Sequence, residues 1–162
     1  PMRDRLFLWG VPLVTLAVYL HLAFVLAPQL AAQSQGGTPF DLRIWGYTLT
    51  EAKAYVARLT PEGLALYLGP IRINDTFFPI WMMVTLMLPL RGRGQFWFLP
   101  ALVYGLADLG ENLSVAKLLR AGAEMQASDV LVASTLTQLK FAGFAVAVVL
   151  ALWTLWRKWR ER

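Results

Sequence analysis

Apolar positions in this chain are gathered into long blocks separated by short polar stretches. The blocks run over 6–26 (LFLWGVPLVTLAVYLHLAFVL), about 73–90 (INDTFFPIWMMVTLMLPL), 96–119 (FWFLPALVYGLADLGENLSVAKLL) and 133–156 (ASTLTQLKFAGFAVAVVLALWTLW). The first and last are apolar all round rather than along one stripe, the pattern of a segment with apolar surroundings on every side. A helix crossing a hydrocarbon core ~30 Å thick needs about 20 mainly apolar residues. Three blocks reach that length outright, and the second does so if it begins near Ile73 or earlier. The pattern predicts an all-α integral membrane protein built as a four-transmembrane-helix bundle. Residues 1–162 form a single transmembrane domain, with helices over about 6–28, 73–90, 96–119 and 133–157. The first block is too long for the core of a cleaved signal peptide, and Leu30-Ala31-Ala32 is a poor cleavage site, so it is expected to stay as a span.

The polar connection between the first two blocks has a pattern of its own. QSQGGTPF (33–40) is rich in turn formers. Thr48 and Glu51 stand in capping-box spacing, and Ala52, Tyr55, Val56 and Leu59 follow at helical intervals. Pro61 suits the first position of a second short helix, and Gly69-Pro70 is expected to stop it. A short helical extracytoplasmic cap over about 38–70 is therefore expected between helices 1 and 2, serving as a seal or as the mouth of a site.

Composition sharpens this picture. The chain is 57% apolar, above the ~45–50% of soluble domains. Its net charge of +5 is distributed unevenly. With four alternating helices, Arg3, Arg5, Arg91, Arg93, Arg157, Lys158, Arg160 and Arg162 fall on one side against only Asp4 and Glu161, while the other side is nearly balanced. Short loops rich in Lys and Arg stay cytoplasmic. Both termini and the RGRG turn (91–94) are thus expected in the cytoplasm, most simply at a bacterial inner membrane. Trp9, Trp97, Trp153, Trp156 and Trp159 mark the same boundary. The basic residues are divided among juxtamembrane segments and form no patch, so nucleic acid is not an expected partner. The absence of cysteine excludes disulfides, thiolate nucleophiles and cysteine-held metals. A single histidine, with no HExxH or GxSxG, removes the common metalloprotease and serine-hydrolase readings. No metal site and no cofactor is indicated.

The third block raises the chemical question. Tyr104, Asp108, Glu111 and Asn112 share one helical face, with the three polar residues Asp108, Glu111 and Asn112 roughly 18–24 Å above Phe96 at 1.5 Å per residue. The same arithmetic places His21 at about 21 Å, Asp75 at about 22 Å and Lys140 at about 24 Å above the basic boundary, with Thr137 on the Lys140 face. Each helix thus brings its most polar residue to one depth. A charge facing lipid there costs about 2.5–3.5 kcal/mol, so these groups are expected to face inward, with Lys140 pairing with Glu111 or Asp108. Asp75 alternatively caps the start of helix 2, and Gly143, Ala147 and Ala151 form a small-residue stripe for close packing.

The expected function is a polar pocket in the outer half of the bundle. It would bind a lipid or isoprenoid-like amphiphile, and Asp108 and Glu111 would be the catalytic pair for acid–base chemistry on it. His21, Asp75, Tyr104, Asn112, Thr137 and Lys140 would be its binding residues. Two alternatives use the same residues: a structural or accessory subunit bound to a membrane protein partner, with the cluster as glue, and a small proton or ion pathway.

Overall fold

The computed structural model describes residues 2–161, with side chains from Leu6 onward. Arg162 lies outside the described residues. Every regular element among them is helical. Helix α1 (Met2–His21) passes through a π-helical turn (Leu22–Leu26) into α2 (Ala27–Gln33). Pro28 lacks the N–H that would bond back one turn, and the helix widens just before it instead of breaking. Two short helices follow, α3 (Leu49–Val56) and α4 (Pro61–Leu66). A second π-helical turn (Tyr67–Ile71), which contains Pro70, leads into α5 (Arg72–Met87). The chain then forms α6 (Leu99–Ala121) and α7 (Ala127–Arg160).

Three continuous rods are long and apolar enough to cross a membrane: Leu6–Gln33, Pro61–Leu90 and Ala127–Arg160. Helix α6 has 23 residues but carries Asp108, Glu111 and Asn112 near its middle, which lowers its mean hydropathy below theirs. The second and last rods start earlier than expected, and the first runs on to Gln33 rather than ending near 28. The second rod starts at Pro61 rather than near 73, because the π-helical turn absorbs Gly69-Pro70 and the helix does not stop there. Asp75 consequently sits inside a rod and caps nothing. The last rod starts at Ala127 rather than 133. Its extra turns carry Asp129, which suits a helix N-terminus and pairs with Lys117 of α6 at 2.7 Å.

Helix α7 lies against α6, α5 packs on α6 and touches α7, and α1 packs on α5. The close approach of α6 and α7 depends on Gly143, where a Cβ would stand 2.8 Å from the Tyr104 nitrogen and 3.0 Å from the Pro100 oxygen. Ala147 and Ala151 continue this buried stripe. Near the basic end, the hydroxyls of Thr15 and Thr85 meet at 2.8 Å and tie α1 to α5. At that end Trp97 and Trp153 stack at 5.6 Å, Arg93 lies 4.9 Å over Trp97, and Lys158 donates to the Pro89 carbonyl at 2.8 Å.

The cap at the opposite end shares a core with the first rod, α6 and α7, in which Phe40, Tyr47, Tyr55 and Tyr67 pack ring against ring. The capping box at the start of α3 forms as expected. The Thr48 N–H donates to the Glu51 carboxylate at 2.7 Å, and this bond holds that exposed carboxyl below the ordinary glutamate range. The strap before α3 is pinned to α7. Gly46 takes φ +83, and a Cβ there would stand 2.6 Å from the Ser134 hydroxyl oxygen. Beside it the Tyr47 N–H donates to Ser134 at 2.8 Å, and Gln138 donates to the Trp45 carbonyl at 2.7 Å.

Candidate functional site

Beneath the cap, a cavity of about 470 Å³ opens between the α1–α2 rod, α5, α6 and α7. Its walls follow from helical spacing. Tyr19, Leu22, Ala23, Leu26, Ala27 and Leu30 recur every three or four residues and form one stripe of the first rod. Phe78 and Met82 face it from α5, Tyr104 from α6, and Phe141 and Phe144 from α7. Both π-helical turns border it, through Leu22 and Leu26 on one side and Ile71 on the other. Such turns shift the register of a helix face and occur often at functional sites. The strap closes the top with Pro39, Asp41 and Leu42.

Four charged residues line this otherwise apolar space: Asp41, Asp75, Asp108 and Lys140. Lys140, only 6% exposed, organises them. Its ammonium donates to Glu111 Oε2 at 2.5 Å and to the Asp41 backbone carbonyl at 3.0 Å. Asp108 Oδ1 stands 3.8 Å away. The Thr137 hydroxyl donates to the other oxygen of Glu111. The Asp41 carboxylate accepts from the Tyr67 hydroxyl at 2.7 Å, whose oxygen in turn accepts from the Phe40 N–H at 3.2 Å. One lysine therefore joins α6, α7 and the cap. Asp75 differs from the other three: among the described residues, no hydrogen bond or ion pair reaches its carboxyl.

The expected site residues separate into three groups. Asp75, Tyr104, Asp108 and Lys140 line the cavity. Glu111 and Thr137 do not: they are buried behind Lys140, at 1% and 0% exposure. Glu111 is therefore held away from the cavity itself, in contact with Lys140. Asn112 and His21 stand apart. Asn112 sits one turn beyond Asp108, where its amide donates to the Arg72 carbonyl at 3.2 Å and to the Thr76 hydroxyl at 2.9 Å, fastening α6 to α5. His21 is exposed, because the stripe through Tyr19, Leu22 and Ala23 leaves it on another face of α1.

Asp41 belongs to the site but falls in the cap. In sequence it is one of several loop acids, and its role depends on Tyr67 and Lys140, which lie 26 and 99 positions away. No local pattern announces contacts at that separation.

Chemically, the arrangement offers three carboxyls facing one apolar space, an ammonium already satisfied from behind, and a tyrosine, Tyr104, only 3% exposed. Groups of this kind can hold a polar head and can move a proton. Among the described residues, no cluster of His, Asp and Glu is arranged to hold a metal ion. No protein family, no curated protein and no solved structure matches this chain.

Proposed function

We propose that the chain is a four-helix integral membrane protein whose cavity holds a lipid or isoprenoid-like amphiphile, tail along the apolar walls and head at Asp75, Asp108 and Lys140. The observation that carries this reading is the cavity. Its volume of about 470 Å³ falls within the ~300–1,000 Å³ of small-molecule sites, which are mostly apolar with a few placed polar groups. Asp75 and Asp108 are the groups suited to acid–base chemistry on the bound molecule.

Two features favour α6 as the fourth span. At 1.5 Å per residue its 23 residues reach about 35 Å. Its charges are also turned inward, while Leu106 and Leu113 are 65% and 64% exposed on the outside, as suits a helix bordered by lipid. Both termini and the 91–94 turn are then cytoplasmic, the cap is extracytoplasmic, and a bacterial inner membrane is the simplest setting.

The reading of the polar cluster as structural glue fits Glu111, Thr137 and Asn112, each of which fastens one helix to another. It does not account for Asp75, a carboxyl placed in an apolar cavity without a partner. An ion pathway is disfavoured because polar groups towards the basic end are few: the bonded Thr15–Thr85 pair and the buried Thr154.

Native mass spectrometry of the gently purified protein tests the proposal. A copurifying amphiphile of lipid-like mass is expected. Ala27→Phe, which fills the cavity from the first rod, is expected to remove it while thermal stability changes little. A wild-type protein with no bound molecule, or a variant that keeps wild-type occupancy, overturns the reading.

A further inference from the structure

The charge around the cavity is not balanced. Asp41, Asp75, Asp108 and Glu111 surround a single ammonium. That ammonium is engaged twice, by Glu111 at 2.5 Å and by the Asp41 carbonyl at 3.0 Å. The Glu111 charge offsets that of Lys140, and both are buried. The space in front therefore faces three carboxyl groups, of which Asp108 alone stands within ion-pair reach of that ammonium, at 3.8 Å. An anionic head entering this cavity would meet all three. A neutral hydroxyl would leave the imbalance as it is.

A cation would relieve it. Asp75 and Asp108 reach the cavity from neighbouring helices, α5 and α6, and Asp41 from the strap above. Asp75 faces the same space as the other two, and among the described residues no hydrogen bond or ion pair reaches its oxygens. Aromatic rings complete the enclosure. Tyr104 and Phe144 pack at 5.4 Å, and Tyr19 and Phe78 at 6.1 Å, all four lining the space. Carboxylates with aromatic faces around them are the usual surroundings for a bound ammonium, through charge-assisted hydrogen bonds and cation–π attraction.

We infer that the ligand is a cationic amphiphile, an alkyl or isoprenoid chain bearing an amine, with its head between Asp75 and Asp108. This rests on the cavity reading above and adds the chemical class of the head. Asp75 is the main selective contact, because Asp108 already stands near Lys140 and Asp41 is held by Tyr67.

The test compares dodecylamine, dodecanol and dodecanoate, which share a chain length and differ in head charge. Each is added below its micellar concentration to the full chain in a neutral maltoside detergent. Affinity is read by equilibrium dialysis and checked by thermal shift. Dodecylamine is expected to bind most tightly. Asp75→Asn is expected to weaken it by about tenfold or more, as for loss of a hydrogen bond to a charged group, while dodecanol binding stays nearly the same. Asp108→Asn serves as a second variant should the first fold poorly. Binding of dodecanol or dodecanoate as tight as that of dodecylamine overturns the amine assignment and leaves the amphiphile cavity standing. Equal weakening of all three probes by Asp75→Asn also overturns it. Binding of none of the probes, in a protein that also carries no copurifying molecule, sinks both readings.

Discussion

Lys140 and Glu111 form the closest ion pair among the described residues, at 2.5 Å with both side chains nearly inaccessible. Two ions taken out of water lose hydration that their mutual attraction only partly restores, so the pair is costly to halve and less costly to replace whole. Lys140→Met leaves Glu111 charged and unpaired in the interior, and a loss of about 3–5 kcal/mol is expected. Replacing both, as Lys140→Met with Glu111→Leu, is expected to recover most of that stability. The comparison is a double-mutant cycle read by thermal or denaturant unfolding in detergent. Additive losses would show that the two residues do not act as a pair. Glu111→Gln should keep the fold, since the amide oxygen still accepts from Thr137 or Lys140. The lysine would then be drawn towards Asp108, 3.8 Å away. Any change in ligand affinity in this variant thus arises from a displaced ammonium, because Glu111 itself does not line the cavity.

Among elements, the contact of α6 with α7 decides whether the Asp108–Glu111–Lys140 group can assemble, and Gly143 sets its spacing. A side chain there meets backbone atoms, the Tyr104 nitrogen at 2.8 Å and the Pro100 oxygen at 3.0 Å, which cannot step aside as a flexible side chain would. Gly143→Val should force the helices apart and cost about 1–3 kcal/mol or more, with ligand affinity falling too because Tyr104 moves. Wild-type melting temperature and affinity in this variant would refute the tight contact. A smaller element responds to pH. The Glu51 carboxyl is held below its ordinary range by the Thr48 N–H, so the capping box contributes stability above the ordinary glutamate pKa and loses it as pH falls through the depressed value. Amide exchange in α3, corrected for its intrinsic pH dependence, should lose protection in acid, and Glu51→Gln should flatten that response. This capping box and the stripe at Gly143, Ala147 and Ala151 were legible in the sequence because each depends on residues within one or two helical turns. So was the pairing of Lys140 with an acid of α6, Glu111 or Asp108, since the helix rise places them near one depth, but the choice of Glu111 was not. The continuity of α4 with α5 was not, because Gly69-Pro70 carries a stop signal that a π-helical turn can absorb only in a packed context. The inclusion of Asp41, the withdrawal of Glu111 behind Lys140 and the outward placement of His21 depend on which face each helix turns to its neighbours. Composition leaves that open when a helix is apolar all round.

At the scale of the whole molecule, the proposed orientation makes one cavity accessible from one side only. The cap, the strap with its 91% exposed Trp45 and the charged group lie at one end. The 91–94 turn, the stacked Trp97 and Trp153 and the basic residues of the last helical turns lie at the other. Lysine and arginine in short loops are retained on the cytoplasmic side, and the proposed orientation would then put the cavity mouth in the outer leaflet. The absence of cysteine from the chain allows a direct test, because single cysteines can be introduced without background. Lys53 in α3 and Gln95 after the turn are both exposed, and neither takes part in the site. In intact cells a membrane-impermeant maleimide is expected to label Lys53→Cys and to spare Gln95→Cys, which should react only after the membrane is opened. The reverse pattern would place the cavity towards the cytoplasm and overturn the orientation while leaving the helix packing untouched. Labelling of both positions in intact cells would mean that the two ends are not separated by a bilayer, and the membrane placement itself would fall.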